Sequence, residues 1–210
     1  NGSGKTTFIK LMCRLYDVTD GEILINGVNI KDYTKDSIIK LYSVVFQDFK
    51  IFSVSLKDNI CANSDFEGDR FYTCLENADI KERTEHMPNK ENTYLYKDLD
   101  ENGVEISGGE AQKLALARAL YKDAPIVVLD EPTAALDPIA ENEIYTRFNT
   151  FVQGKTAIYI SHRLSSCAFC DKIAVFNNAK LAETGTHKDL LSAGGKYAEL
   201  WNAQAKYYIQ

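Results

Sequence analysis

Asn1-Gly2-Ser3-Gly4-Lys5-Thr6-Thr7-Phe8 is the stretch on which the reading of the fold turns. Gly4-Lys5-Thr6 matches the last three positions of the phosphate-binding loop G-x-x-x-x-G-K-[ST]. Glycines at 2 and 4 let the backbone curl so that its N–H groups point inward at phosphate oxygens. The helix that follows adds its positive end. Lys5 can then reach the terminal phosphates, and Thr6 can offer its hydroxyl to Mg²⁺. The bland alternative is a Gly/Ser turn before a helix. The opening glycine of the pattern would stand two places before Asn1, so this reading expects the sequence to begin partway round the loop.

Working outward, Phe8, Ile9, Leu11, Met12, Leu15 and Tyr16 fall at helical spacing and predict one buried face. Glu22-Ile23-Leu24-Ile25, Asn26-Gly27 and Val28-Asn29-Ile30 predict a hairpin on the favoured Asn-Gly turn. Tyr42 to Phe46 predicts a short strand ending at Gln47. From about 55 to 102, charged and polar helix-like stretches with no strong strand predict an inserted helical lobe. The helix-forming run Glu110–Tyr121, with Leu114, Ala117, Leu120 and Tyr121 on one face, extends that lobe to about 120. Ile126 to Leu129 and Thr156 to Ile160 are continuous apolar runs suited to strands buried on both sides. Residues 173–183 read as a second hairpin with Asn177-Asn178 at its turn, and helices are expected around 188–191 and 195–207. Strands alternating with helices predict an α/β fold: a parallel-sheet phosphate-loop core, a small antiparallel β subdomain and the helical lobe.

Composition narrows the function classes. The 210 residues carry a net charge of −6, which argues against a nucleic-acid binder, since a phosphate backbone calls for a positive surface. No apolar run approaches the ~20 residues that cross a bilayer. The five cysteines, Cys13, Cys61, Cys74, Cys167 and Cys170, are odd in number and scattered, which suggests reduced thiols in the cytosol. Cys167 and Cys170 have C-x-x-C spacing. With no second pair or histidine nearby, they read as ordinary cysteines rather than a zinc or redox site.

Two further stretches carry chemistry. Ile126-Val127-Val128-Leu129-Asp130-Glu131-Pro132 is an apolar strand ending in acid, which puts carboxylates at the end of a parallel sheet where α/β ligands bind. Asp130 suits Mg²⁺, and Glu131 suits polarising a water for attack on a γ-phosphate. Ile106-Ser107-Gly108-Gly109-Glu110 precedes the strong helix, with Ser107 as N-cap and two glycines exposing backbone N–H groups. That is a second anion-binding helix start. One nucleotide has no obvious need of two, so the second suggests a nucleotide held by another subunit.

Taken in order, GSGKTT, Gln47, ISGGE, VVLDEP, Ala135-Leu136-Asp137 and Ser161-His162-Arg163 resemble the nucleotide-binding domain of ABC transporters, over nearly the whole chain. VFQDFKIFSVSLKDNI and ISHRLSS…IAVFNNAKLAETGTHKDLL resemble the exporter type, in which the ATPase follows a membrane-spanning domain in one polypeptide. The resemblance implies one domain over 1–210, of ABC ATPase fold, that binds and hydrolyses ATP with Mg²⁺. Asn1, Gly2, Ser3, Gly4, Lys5, Thr6 and Thr7 would wrap the phosphates. Thr6, Gln47 and Asp130 are the implied metal ligands, with Gln47 contacting either Mg²⁺ or the attacking water. Glu131 would be the general base, and His162 would contact the γ-phosphate. Ser107, Gly108, Gly109 and Glu110 would touch ATP held by the opposite subunit, with Asp137 at the dimer seam.

It further implies a second ATPase domain as partner, a transmembrane domain, and a place on the cytoplasmic face of the membrane. The family signature usually has Leu and Gln where this chain has Ile106 and Glu110; a negative charge at 110 suits the helix dipole but weakens local attraction for phosphate. Rival readings are a non-transport ATP switch acting on nucleic acid or ribosomes, and a catalytically inactive ATP-binding module. The first fits poorly with the compact 55–102 lobe and the acidic balance, the second with intact Lys5, Asp130, Glu131 and His162.

Overall fold

A computed structural model describes residues 4–62, 64–131, 148–149, 151–161 and 164–208. Contacts divide the chain into two units, one formed by residues 1–39 with 159–210 and the other by 40–158.

In the second unit the parallel pairing of β3 (Tyr42–Val45) with β4 (Ile126–Asp130) sets the frame. Their register matches Tyr42 to Ile126 and Val45 to Leu129. β5 (Thr156–Ile160), which begins in this unit, pairs with β4 on its other edge, giving the order β3-β4-β5. Val127, Val128 and Leu129 are almost fully buried, as a central strand covered on both faces requires. Each such side chain contributes about 1.5–3 kcal/mol of burial.

The long helix α6 (Gly108–Lys122) packs on β3 and on two helices of the 55–102 segment, α3 (Leu56–Cys61) and α4 (Gly68–Asn77). The periodicity predicts one apolar face for α6. Nine of its fifteen residues are instead buried, because neighbours crowd it from several sides. Alanines at 111, 115, 117 and 119 permit that close approach. Near its C-terminal end the Tyr121 hydroxyl accepts from the Glu67 N–H (2.9 Å) and donates to the Asp65 carbonyl, while Arg70 lies 4.7 Å over its ring. The short helix α5 (Lys81–Glu85) follows α4. Ser55–Tyr94 and Leu95–Val104 add isolated bridges, the strand-like pairing found in a segment that reads as helical. At Gly103 a Cβ would fall inside the Tyr96 carbonyl and 2.9 Å from the Asp100 oxygen, so the Glu101-Asn102-Gly103 turn demands glycine for space.

In the first unit, helix α1 (Lys5–Met12) is shorter than its apolar pattern predicts. Only Ile9 is buried; Leu15 and Tyr16 lie beyond the helix and are exposed. Arg14 turns the chain aside with φ 53° while its guanidinium donates to the Ile30 carbonyl (3.2 Å) and the Tyr33 carbonyl. The hairpin β1 (Leu24–Ile25) and β2 (Val28–Asn29) forms as predicted, with positive φ at both Asn26 and Gly27, as a type I′ turn requires. α2 (Lys35–Leu41) then leads into β3.

In the second hairpin, β6 (Ile173–Asn177) and β7 (Lys180–Gly185) turn at Asn178-Ala179 rather than Asn177-Asn178, because Asn177 itself pairs with Lys180. Helices α7 (His187–Ala193) and α8 (Lys196–Tyr208) close the unit. Ile173, Val175, Leu190 and Tyr197 form one buried cluster of this unit, with Cys167 and Cys170 packed against it. Burial pushes the Cys170 thiol up to about 12, which suits a packing role rather than thiolate chemistry.

Candidate functional site

Gly4 caps α1 in the left-handed region, φ 86°. A Cβ there would meet Ala179 only at ordinary contact distance, 3.5 Å, so conformation and not space calls for glycine. The Phe8 N–H closes the first turn on the Gly4 carbonyl (2.9 Å). No acidic residue stands in that turn, so nothing there cancels the positive helix end at which Lys5, Thr6 and Thr7 sit. Asn1, Gly2 and Ser3 lie outside the described residues.

Gly4 to Thr7 belong to the first unit; the other described candidates belong to the second, and there the sheet register does the positioning. Val45 stands opposite Leu129 in parallel strands, so two residues further along each strand come Gln47 and Glu131. The Gln47 Nε2 lies 3.4 Å from the Glu131 carboxylate, a long hydrogen bond across 84 positions of sequence. Asp130 is 1% exposed at the end of β4, while the neighbouring Glu131 is only half-buried. Glu131 has φ 53°, an uncommon conformation for a residue with a side chain, of the kind that clusters at functional sites. Its carbonyl accepts from the Gln112 Nε2 (3.2 Å). Gln112 thereby holds the backbone of the expected general base, a role with no local signal in the sequence.

Ser107 begins α6 with a complete capping box. Its hydroxyl accepts from the Glu110 N–H (3.2 Å), and the Glu110 carboxylate accepts from the Ser107 N–H (2.7 Å). Arg83 Nε donates to the other Glu110 oxygen at 2.7 Å. Burial pushes the Glu110 carboxyl up, but the Ser107 and Arg83 donors more than offset this and hold it below its ordinary range. At Gly108 a Cβ would meet nothing within 4 Å among the described residues and φ lies outside the left-handed region, so no packing among the described residues calls for glycine there. An open face at a helix start leaves room for close approach by a ligand.

Arg118, near the other end of α6, ties that helix to the segment after Gln47. It donates to the Asn59 carbonyl (2.7 Å), the Asn59 side-chain oxygen (3.0 Å) and the Lys50 carbonyl (2.9 Å), and lies over the Phe52 ring at 5.5 Å. The sequence reading missed it.

His162 and Asp137 lie outside the described residues; Ser161, the residue before His162, follows β5 directly. The candidate metal ligands are the Thr6 hydroxyl, the Gln47 amide and the Asp130 carboxylate. All offer hard oxygen atoms, the donor set that fits Mg²⁺. Among the described residues no helix is long and apolar enough to cross a membrane.

Comparison with known proteins agrees with this chemistry. A family model described as "ABC transporter" matches residues 1–134. The chain is 40% identical over 204 residues to the ABC transporter B family member 6 of Dictyostelium discoideum, covering 97% of this chain and 30% of that protein. It is 40% identical over 206 residues to the ATP-dependent lipid A-core flippase of Idiomarina loihiensis, covering 97% of this chain and 35% of the flippase. A solved structure of a bacterial Atm1-family ABC exporter with ATP bound superposes with a TM-score of 0.90 at 35% identity, over 98% of this chain and 36% of that one. The chain thus spans about a third of the length of the curated relatives it matches.

Proposed function

Since this chain belongs to the ABC transporter family, we propose that residues 1–210 form the ATP-binding and ATP-hydrolysing domain of an exporter, with the helical lobe at about 55–120. The observation that carries the reading is the Gln47–Glu131 contact beside buried Asp130, at the end of the parallel strands and in the same unit as a capped, glycine-opened helix. Two copies of the domain, or this domain and a related one, close head to tail around two ATP molecules. Each site takes the Gly2–Thr7 loop of one domain and the Ser107–Gly109 start of the other, with Asp137 at the seam.

Thr6, Gln47 and Asp130 would hold Mg²⁺, which when bound would supply positive charge against the phosphates. The loop N–H groups and Lys5 bind and orient the triphosphate. Glu131 takes a proton from the attacking water, Gln47 orients both, and His162 contacts the γ-phosphate. Loss of the bridging γ-phosphate then releases the seam, and opening and closing moves a transmembrane domain carried by the same full-length protein at the cytoplasmic face of the membrane. A nucleic-acid partner has no place in this scheme.

The test is Glu131→Gln in the complete transporter. Removing a general base lowers turnover by ~10²–10⁴-fold, while ATP binding persists and the closed dimer accumulates. Wild-type turnover in that variant removes Glu131 from the role.

A further inference from the structure

We propose that Arg83 is a positioning residue for the phosphate cradle at Ser107–Gly109: it neutralises Glu110, so that an acidic side chain can cap this helix without repelling the triphosphate that the cradle receives. The inference rests on the reading above.

The chemistry of the position poses a problem that the geometry answers. A helix start attracts an anion through its free N–H groups and dipole. Glu110 stands in the first turn, beside Gly109, and its charge works against that attraction. Both of its carboxylate oxygens are nevertheless engaged, one by the Ser107 N–H at 2.7 Å and the other by Arg83 Nε at 2.7 Å. The two contacts turn the carboxylate back over the cap.

The nearest cation on α6 itself, Lys113, is held elsewhere, 2.7 Å from the Asp79 carboxylate. On α5, Lys81 pairs with Glu76 at 3.0 Å, which leaves Arg83 as the α5 cation directed at Glu110. Arg83 and Glu110 lie 27 positions apart, so the pairing depends on the lobe packing against α6 and not on helical spacing. The pair is partly exposed, 42% and 26% by side chain, so salt should screen it.

The experiment measures ATPase activity against ATP concentration in the complete transporter for wild type, Arg83→Gln, Arg83→Lys, Glu110→Gln and the Arg83→Gln/Glu110→Gln pair. Arg83→Gln is expected to raise the half-saturating ATP concentration about three- to fivefold with little change in kcat, as losing a partly exposed charge pair implies. Arg83→Lys, which keeps the charge, recovers most of the loss. In the Glu110→Gln background, Arg83→Gln has little further effect, and in ~0.5 M salt the wild-type and Arg83→Gln curves converge.

Equal half-saturation in wild type and Arg83→Gln overturns the proposal. So does an undiminished Arg83→Gln penalty in the Glu110→Gln background or at high salt, either of which marks a structural role. These outcomes are distinct from failure of the parent reading: a wild-type protein that neither binds nor hydrolyses ATP removes both, whereas an active wild type matched by Arg83→Gln removes only Arg83.

Discussion

Replacing Gly108 by alanine separates what the fold needs from what the ligand needs. Gly108 is the first residue of α6, after the Ser107 cap, and an added Cβ would meet nothing within 4 Å among the described residues. Among the described residues the methyl group therefore meets no strain, and it removes backbone freedom from the unfolded state. Gly-to-Ala changes at such compatible positions stabilise by about 0.4–1 kcal/mol. For a chain of this size 1 kcal/mol corresponds to roughly 2–4 °C in Tm, so thermal unfolding should rise by about 1–4 °C. If the space above Gly108 is where a phosphate approaches, the same methyl must push it away. Loss of one well-formed charge-assisted contact, about 1.5–3 kcal/mol, weakens ATP-driven closure by at least tenfold. Differential scanning fluorimetry and an ATP titration of the complete transporter, run on the same preparations, give both numbers. A variant that is stabilised and keeps wild-type ATP dependence would refute the assignment of the open face to a nucleotide. A destabilised variant would refute the packing argument beneath it.

Gly103→Ala should behave in the opposite way: its Cβ would enter the Tyr96 carbonyl, so chemical denaturation should register a loss of about 1–3 kcal/mol or more whether or not nucleotide is present. Arg118→Ala strips three hydrogen bonds from Asn59 and Lys50, and unfolding should show about 2–4 kcal/mol of destabilisation. Arg118→Lys should restore only part of it, because an ammonium cannot reproduce the guanidinium fork.

Local signals carried far in this sequence, and the places they failed are instructive. Asn26-Gly27 fixed a hairpin because few residue pairs tolerate positive φ in succession. Ser107 as N-cap announced the start of α6, and the structure completes it with a capping box to Glu110 that the sequence reading did not name. Val127 to Leu129 announced a central strand because its neighbours cover both faces. What stayed illegible was set by contacts remote in sequence. α1 stops at Met12, despite apolar residues at helical spacing beyond it, because Arg14 is drawn to carbonyls at Ile30 and Tyr33. The second hairpin turns one residue late, with Ala179 at φ 57°, a conformation alanine does not advertise. At the candidate site the acids and glycines were legible as residue types. Arg83, Gln112 and Arg118 were not, since each acts through a partner 19 to 68 positions away.

The central claim is that each nucleotide is gripped by two domains at once. It is tested most directly by mixing two defective forms of the complete transporter, both carrying Glu131→Gln to retain ATP. One form also carries Lys5→Ala, which disables the phosphate loop; the other carries Gly108→Asp, which blocks the helix start. In a mixed dimer one site combines the intact loop of the second form with the intact helix start of the first. The account predicts that neither form alone retains ATP, and that the mixture retains one ATP per mixed dimer. A mixture that holds no more ATP than its separate components would contradict it.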